Sequence, residues 1–235
     1  MHPQPRKVFW MVLILLMGLM PAGCVDSSYA HEHDDLPVRD IVQQPTPAQL
    51  ADAVAAHLVP KDFEEFNRLR LHLDVRGDLL FVKGVVNTRS HDSVYHILED
   101  KPGVHTVVLT YVPGSVDDEV NLELGRLLHD IGMTTYLPAQ AEVASGGTDL
   151  FLAGVERIVE RGARIGVHSW SAGGSETGDT LPRDHPEHKL YLNYYRDIGI
   201  DEDFYWFTLQ AASPEDIHWM TAEEMTQYAV HTDLR

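Results

Sequence analysis

The chain has 235 residues, 44% of them hydrophobic, which is enough to bury the core of one sizeable domain. Its formal net charge of −18 comes from acidic residues spread along the whole length, the pattern of a solvated acidic surface. No basic patch is present to neutralise phosphates, so nucleic acid is excluded as a partner, and a single cysteine excludes a disulfide within the chain.

The first 23 residues read as a targeting segment. Arg6 and Lys7 precede an apolar run from Val8 to Met20, too short for a comfortable membrane span. The run ends Leu-Met-Pro-Ala-Gly-Cys24, which resembles a bacterial lipoprotein signal, with Pro21 as a departure from the usual pattern. That resemblance implies lipidation at Cys24 and a cell-envelope location facing the periplasm. Val25 after the cysteine points to the outer rather than the inner membrane. A body this acidic is not held to anionic lipid by charge, so attachment would rest on the acyl chains.

Residues 24–45 have the composition of a flexible tether, and residues 46–235 form the remaining domain. Within the tether, His31-Glu-His33-Asp-Asp35 is a loose metal-ligand pattern that reads more simply as solvated. Thr46-Pro47 is a helix-start signal, followed by Leu50, Val54 and Leu58 and ended by Pro60. Alternation over Leu69, Leu71, Leu73 and Val75, a Gly77-Asp78 turn and the apolar run Leu79–Val86 predict a hairpin. Thr88 is placed to cap a helix carrying Val94, Ile97 and Leu98. Val104–Val112 reads as a strand buried on both faces. Val120, Leu124, Leu127, Leu128 and Ile131 then make one apolar face of a helix closed by Gly132. Met133–Leu137 is a short strand leading to Ala144-Ser145-Gly146-Gly147. There Thr148 and Asp149 favour a helix start and Leu150–Leu152 its buried body.

After Gly154 a short connection leads to a strand over Ala163–His168. The polar, Gly- and Pro-rich stretch Ser169–Pro186 is long for a plain connection, as functional lids are. Helices follow over Leu190–Ile198 and Phe204–Ala212. Then come the Ser213-Pro214 turn and a capping box at Thr221-Ala-Glu-Glu224. Helix and strand alternate, so the class is α/β with a largely parallel sheet.

A serine at the start of a helix has backbone N–H groups beside its Oγ, as acyl transfer requires of a nucleophile and its oxyanion site. A small-residue junction that lets helix pack on strand fits Ala144-Ser145-Gly146 equally well. His168 ends a buried strand at the edge where α/β sheets bind ligands. A hydrogen-bonded core histidine and, for Asp216, a turn acid beside Ser213-Pro214 are the plainer readings of those two residues.

Taken together, the order of these motifs resembles the Clp-protease/crotonase superfamily, in its secreted Clp-like serine peptidase branch. The matching features are Val-Pro-Gly-Ser115 after a buried strand, Ala-Ser145-Gly-Gly before an apolar helix, and Arg164-Ile-Gly-Val-His168 with Gly173-Gly174 behind it. Asp216 ahead of Trp-Met-Thr-Ala-Glu-Glu completes the set. The resemblance spans Leu79 to Val230. It implies a Clp/crotonase-like ββα superhelix, Ser145 as nucleophile, His168 as base, Asp216 as its orienter, and an oxyanion hole from the N–H of Gly146 and that of Gly114 or Ser115. It implies no cofactor and no metal, and a peptide or other acyl substrate. Ser115 stands where the family has a second glycine. A homo-oligomer stays open, but no ring surface is recognisable.

Three other readings compete. Gly166-Val-His-Ser169-Trp-Ser171 resembles an α/β-hydrolase elbow, with Ser169 or Ser171 as nucleophile, though the flanking glycines are incomplete. His185-Pro-Glu-His188 with His168 or His218 could ligate a metal. A non-catalytic envelope binding module would keep the fold without the chemistry.

Overall fold

The computed structural model describes residues 36–39, 71–171 and 176–235. Cys24, the His31–Asp35 cluster, the Thr46–Pro60 helix and Gly173-Gly174 lie outside the described residues.

The hairpin forms as predicted. Strands β1 (His72–Arg76) and β2 (Leu79–Lys83) pair antiparallel across a turn in which Gly77 takes a φ of 62°. Helix α1 (Ser90–Asp100) follows, but Thr88 does not cap it. Asn87 shapes its start instead: its Oδ1 accepts from Arg89 N at 3.0 Å and its N donates to Ser90 Oγ at 2.8 Å. Strand β3 (Thr106–Val112) is buried at every position. It leads to α2 (Asp118–Asp130), whose first turn is capped by Asp117 accepting from Val120 N.

Next come β4 (Thr134–Leu137), β5 (Glu142–Ala144), α3 (Gly146–Leu152), β6 (Glu156–Val159) and β7 (Arg164–Val167). Helices α4 (His188–Asp197) and α5 (Glu202–Ala211), strand β8 (His218–Trp219), helix α6 (Ala222–Gln227) and strand β9 (Asp233–Leu234) complete the chain. The Thr221/Glu224 capping box opens α6 as expected. Among the described residues there are six helices, none long and apolar enough to cross a membrane.

The nine strands form one sheet, ordered β8-β7-β5-β3-β4-β6-β9, with β2 and then β1 attached to β3. Only β1–β2 and β7–β8 pair antiparallel; the other pairings are parallel. The fold class is therefore α/β with a largely parallel central sheet. Strand β3 is its hub. It pairs with β2 along nearly its full length. On the opposite edge its first half, Thr106–Val108, pairs with β4 and its last residues, Tyr111 and Val112, pair with β5.

Alternation in β2 and β3 sorts their side chains between two cores. Leu80, Val82, Val107 and Leu109 join the large cluster under the helices, with Leu124, Leu128, Phe151 and Tyr194. Leu79, Phe81 and Val108 join Tyr136 and Ile158 in a smaller cluster. Strand β6 corrects the expectation of a plain connection: Ile158 and Val159 are buried, and Arg157 donates from its guanidinium to Gly154, Ala229 and Val230 carbonyls. Strand β5, likewise unpredicted, is three residues long.

Helix α3 lies so close to β3 that a Cβ at Gly147 would stand 1.8 Å from the Val112 carbonyl oxygen. Backbone cannot yield to that overlap as a flexible side chain could. We expect Gly147→Ala to cost about 3 kcal/mol or more, read as a lowered urea midpoint with an unchanged slope.

Candidate active site

Strand β5 ends at Ala144, and the chain turns directly into α3 through Ser145. Ser145 holds φ 53° and ψ −130°, a conformation that L-residues avoid at a cost of about 1–3 kcal/mol. Four hydrogen bonds fix it there. Ser145 N donates to Gly166 O at 3.1 Å, Thr148 N and Asp149 N donate to Ser145 O, and Thr148 Oγ1 donates to Gly166 O at 2.8 Å. The only other non-glycine with positive φ among the described residues is Ala229, just past the end of α6. A strained serine on a strand-to-helix turn is the geometry of a nucleophile elbow, which lifts Oγ clear of its own backbone.

The segment after β3 packs against this turn. A Cβ at Gly114 would lie 3.5 Å from Ser145 Cβ, and one at Gly146 would lie 2.8 Å from Ser115 Cβ and 2.9 Å from Ser115 N. Val86 N donates to Gly114 O and Val116 N to Val86 O. This parallel bridge leaves the Ser115 N–H on the side away from Val86. Asn121, fully buried on α2, donates from Nδ2 to Gly146 O at 2.9 Å. Gly114, Ser115 and Gly146 are thus gathered around Ser145.

His168 follows β7 and opens into the same cavity as Ser145. Gly146, Thr148, Val167 and Trp170 also line it, as do Asp118, Asp149, Tyr191, Tyr195, Tyr205 and Thr208. Burial pushes the His168 imidazole below its usual pKa, partly offset by the Ser169 backbone and by the charges of Asp118 and Glu215. A neutral imidazole is the form a general base needs. Its Nδ1 is buried and meets no hydrogen-bond partner.

Asp216 stands apart. It is exposed in the Ser213–Asp216 turn, its Oδ1 accepts from its neighbour Ile217 N at 2.8 Å, and it does not line the cavity. The structure therefore brings Ser145, His168, Gly114, Ser115 and Gly146 together and leaves Asp216 outside.

The acids within the cavity are ones that sequence reasoning passed over. Asp118 accepts from Ser115 Oγ and, at 2.6 Å, from Tyr191 OH. Asp149 accepts from Tyr195 OH at 2.5 Å, while Tyr194 OH donates to its backbone carbonyl. Burial raises Asp149 to about 7, opposed by the Tyr195 hydrogen bond and reinforced by the charge of Asp118. The signal was present: Tyr191, Tyr194 and Tyr195 fall at i, i+3 and i+4, a row of hydroxyls on one face of α4. Trp170, at the start of the Ser169–Pro186 stretch, stacks on Tyr191 and donates from Nε1 to Tyr205 OH at 2.9 Å, so this stretch contributes a wall.

The serines of the rival elbow sit in other surroundings. Ser169 is fully buried with ordinary backbone geometry; its Oγ donates to Asp179 Oδ1 at 2.9 Å and accepts from Asp179 N at 3.0 Å. Ser171 is exposed and bridges to Thr177. For the metal reading, both ring nitrogens of His188 are engaged, with Tyr205 OH and Pro182 O, and His218 Nε2 is paired with Glu224. No group of three potential metal ligands occurs among the described residues.

No protein-family model matches the chain, and no curated protein matches it. Among solved structures, it is similar to a mutant of the 1510-N membrane-bound stomatin-specific protease. Identity is 17% and the TM-score 0.47, over 66% of this chain and 77% of that one. It is also similar to the ClpP protease catalytic domain from Plasmodium falciparum, at 14% identity and a TM-score of 0.46, over 67% and 84% of the two chains.

The raised Asp149 has a consequence for stability. The unfolded chain releases this proton near pH 3.8, the folded chain only near 7. Stability from this group is therefore full below about pH 4 and is lost, by up to a few kcal/mol, as pH rises through 7. Thermal melts of Asp149→Asn should show a flatter decline between pH 5 and 8 than the wild type, and a higher midpoint at pH 8.

Proposed function

We propose that the chain is a serine hydrolase of peptidase-like type, with Ser145 as nucleophile and His168 as general base. The observation that carries this reading is the strained Ser145 turn opening into a cavity shared with a histidine held neutral by burial. In the first step Ser145 Oγ attacks the carbonyl carbon of the substrate and its proton passes to His168. The oxyanion is received by the N–H groups of Gly146 and of Ser115 or Gly114. His168 returns the proton to the leaving group, and water then releases the acyl group by the same steps in reverse order.

Peptide and ester substrates both fit this chemistry. The location proposed with it is the cell envelope, facing the periplasm on the outer membrane, with Cys24 as the lipid anchor. The support for that placement is the sequence of the first 25 residues. One observation favours a second reading, a binding module that keeps the fold without turnover: the unpartnered Nδ1 of His168.

A fluorophosphonate probe separates the two. We expect labelling of the wild type that disappears in Ser145→Ala and survives in Ser171→Ala. Labelling retained by Ser145→Ala would sink the assignment, and no labelling of a folded wild type would favour the binding module. The anchor has its own test. Cells fed an alkyne-bearing fatty acid should yield tagged protein from the wild type and none from Cys24→Ser, with the variant leaving the membrane fraction.

A further inference from the structure

With Asp216 outside the cavity, the acid that serves His168 must come from elsewhere. Resting on the serine-hydrolase reading, we infer that Asp118 is the positioning acid of this site: it holds Ser115 in place for the oxyanion and supplies the negative charge that His168 faces.

Three contacts carry the inference. Asp118 opens α2 three residues after Ser115, and one carboxylate oxygen accepts from Ser115 Oγ. The other accepts from Tyr191 OH on α4, a hydroxyl whose ring stacks with both Trp170 and Tyr205 and so has little freedom. Asp118 also lines the cavity with Ser145 and His168. The serine at position 115, where a glycine would leave the loop without a side-chain tie, thereby acquires a function. Its hydroxyl fastens the turn whose N–H adjoins Gly146.

A carboxylate in this place favours the imidazolium that forms when His168 takes the Ser145 proton. It also opposes charge on the oxyanion, but two hydroxyl donors disperse its own charge, and the oxyanion keeps the backbone N–H groups to itself. The groups facing His168 from the surrounding elements are Asp118, Asp149 on α3, Glu215 before β8, and the phenols of Tyr191, Tyr195 and Tyr205. Among the carboxylates, Glu215 is exposed, whereas Asp118 and Asp149 line the cavity itself.

The experiment follows the fluorophosphonate labelling rate of the full chain between pH 5 and 9. In Asp118→Asn we expect the rate to fall roughly 10- to 100-fold, up to the lower end of what losing one oxyanion donor costs. Its rising limb should move to lower pH by roughly half to one unit, because the base loses a nearby negative charge. Since Asp149 titrates near neutrality, the comparison is repeated in an Asp149→Asn background, where the same displacement is expected. A role confined to holding Ser115 would lower the rate without moving the limb, so an unmoved limb overturns the proposal whatever the rate. A displacement produced by Asp216→Asn and not by Asp118→Asn overturns it as well.

If Asp118→Asn does not fold, Tyr191→Phe replaces it. That change strips one hydroxyl from the carboxylate, concentrates its charge and should move the limb upward, and no movement again counts against Asp118. Ser145→Ala separates the two failures. If it still labels, the serine reading falls and this proposal with it. If it is silent while Asp118→Asn titrates like the wild type, only the proposal about Asp118 falls.

Discussion

Helix α3 can begin where it does only because nothing but hydrogen stands on the Cα of Gly147 beneath the Val112 carbonyl. That close approach joins the end of β3 to the start of α3 and so brings two separate turns, Pro113–Ser115 and Ser145–Gly146, into contact. The energetic balance can be judged from magnitudes. Holding Ser145 at φ 53° costs about 1–3 kcal/mol. Burying Leu150, Phe151 and Leu152 at 1% exposure or less returns about 1.5–3 kcal/mol for each side chain. The strain is thus carried by the helix it introduces, and the serine need contribute nothing to stability.

The sheet explains why these turns meet at one place. Because β3 shares one edge between β4 and β5, the strand that delivers Ser145 pairs with the last residues of β3, beside the Pro113–Ser115 turn. Strand β7 pairs on the far side of β5 in parallel and so ends at the same edge, delivering His168. Three neighbouring parallel strands therefore finish together, and their connections build the cavity, as expected of an open α/β sheet. Helices α4 and α5 close it from the side with their tyrosines, and β8 closes the sheet antiparallel beyond β7.

How far the sequence foretold this depends on the kind of signal each element carried. Strand β3 was legible as an apolar run bounded by turns, and helix α2 because its apolar residues keep one period throughout. The hairpin was legible from alternation and the Gly77 turn. Strand β6 was not, because Glu156-Arg-Ile-Val159 alternates weakly and Arg157 is held by carbonyls rather than by solvent. Strand β5 was too short to show a period. The helix after Ser145 was expected at Thr148 or Asp149, but those residues spend their polar atoms on Gly166 O and Tyr195 rather than on a cap. At the site, Ser145, His168 and the glycine turns could be read from spacing, since each sits at the end of an element. Asp216 could not be tested that way. Its role turned on side-chain direction, and Ile217 N–H is nearer to hand than the cavity.

The electrostatics of the cavity then follow from how its acids are supplied with donors. Asp149 has one phenol and is enclosed by its neighbours, so it keeps its proton up to about 7. Asp118 has two hydroxyls, from Ser115 and Tyr191, and these are donors that a charged carboxylate can use. Burial thus keeps one acid neutral against its phenol, while the hydroxyls around the other suit a charged carboxylate. For His168 this distinction has a limit. A charge at a distance lowers the energy of the imidazolium, but only a hydrogen bond to Nδ1 fixes which ring nitrogen carries the proton in the resting state. No side chain among the described residues accepts from the buried Nδ1, so no acid there fixes the tautomer that the proposed Ser145 nucleophile would need. Misplacing that proton is costly in serine hydrolases generally, by factors of about 10⁴ where the orienting acid is lost from an otherwise intact triad. On the proposed serine-hydrolase reading, an imidazole with no acid at Nδ1 predicts slow catalysis.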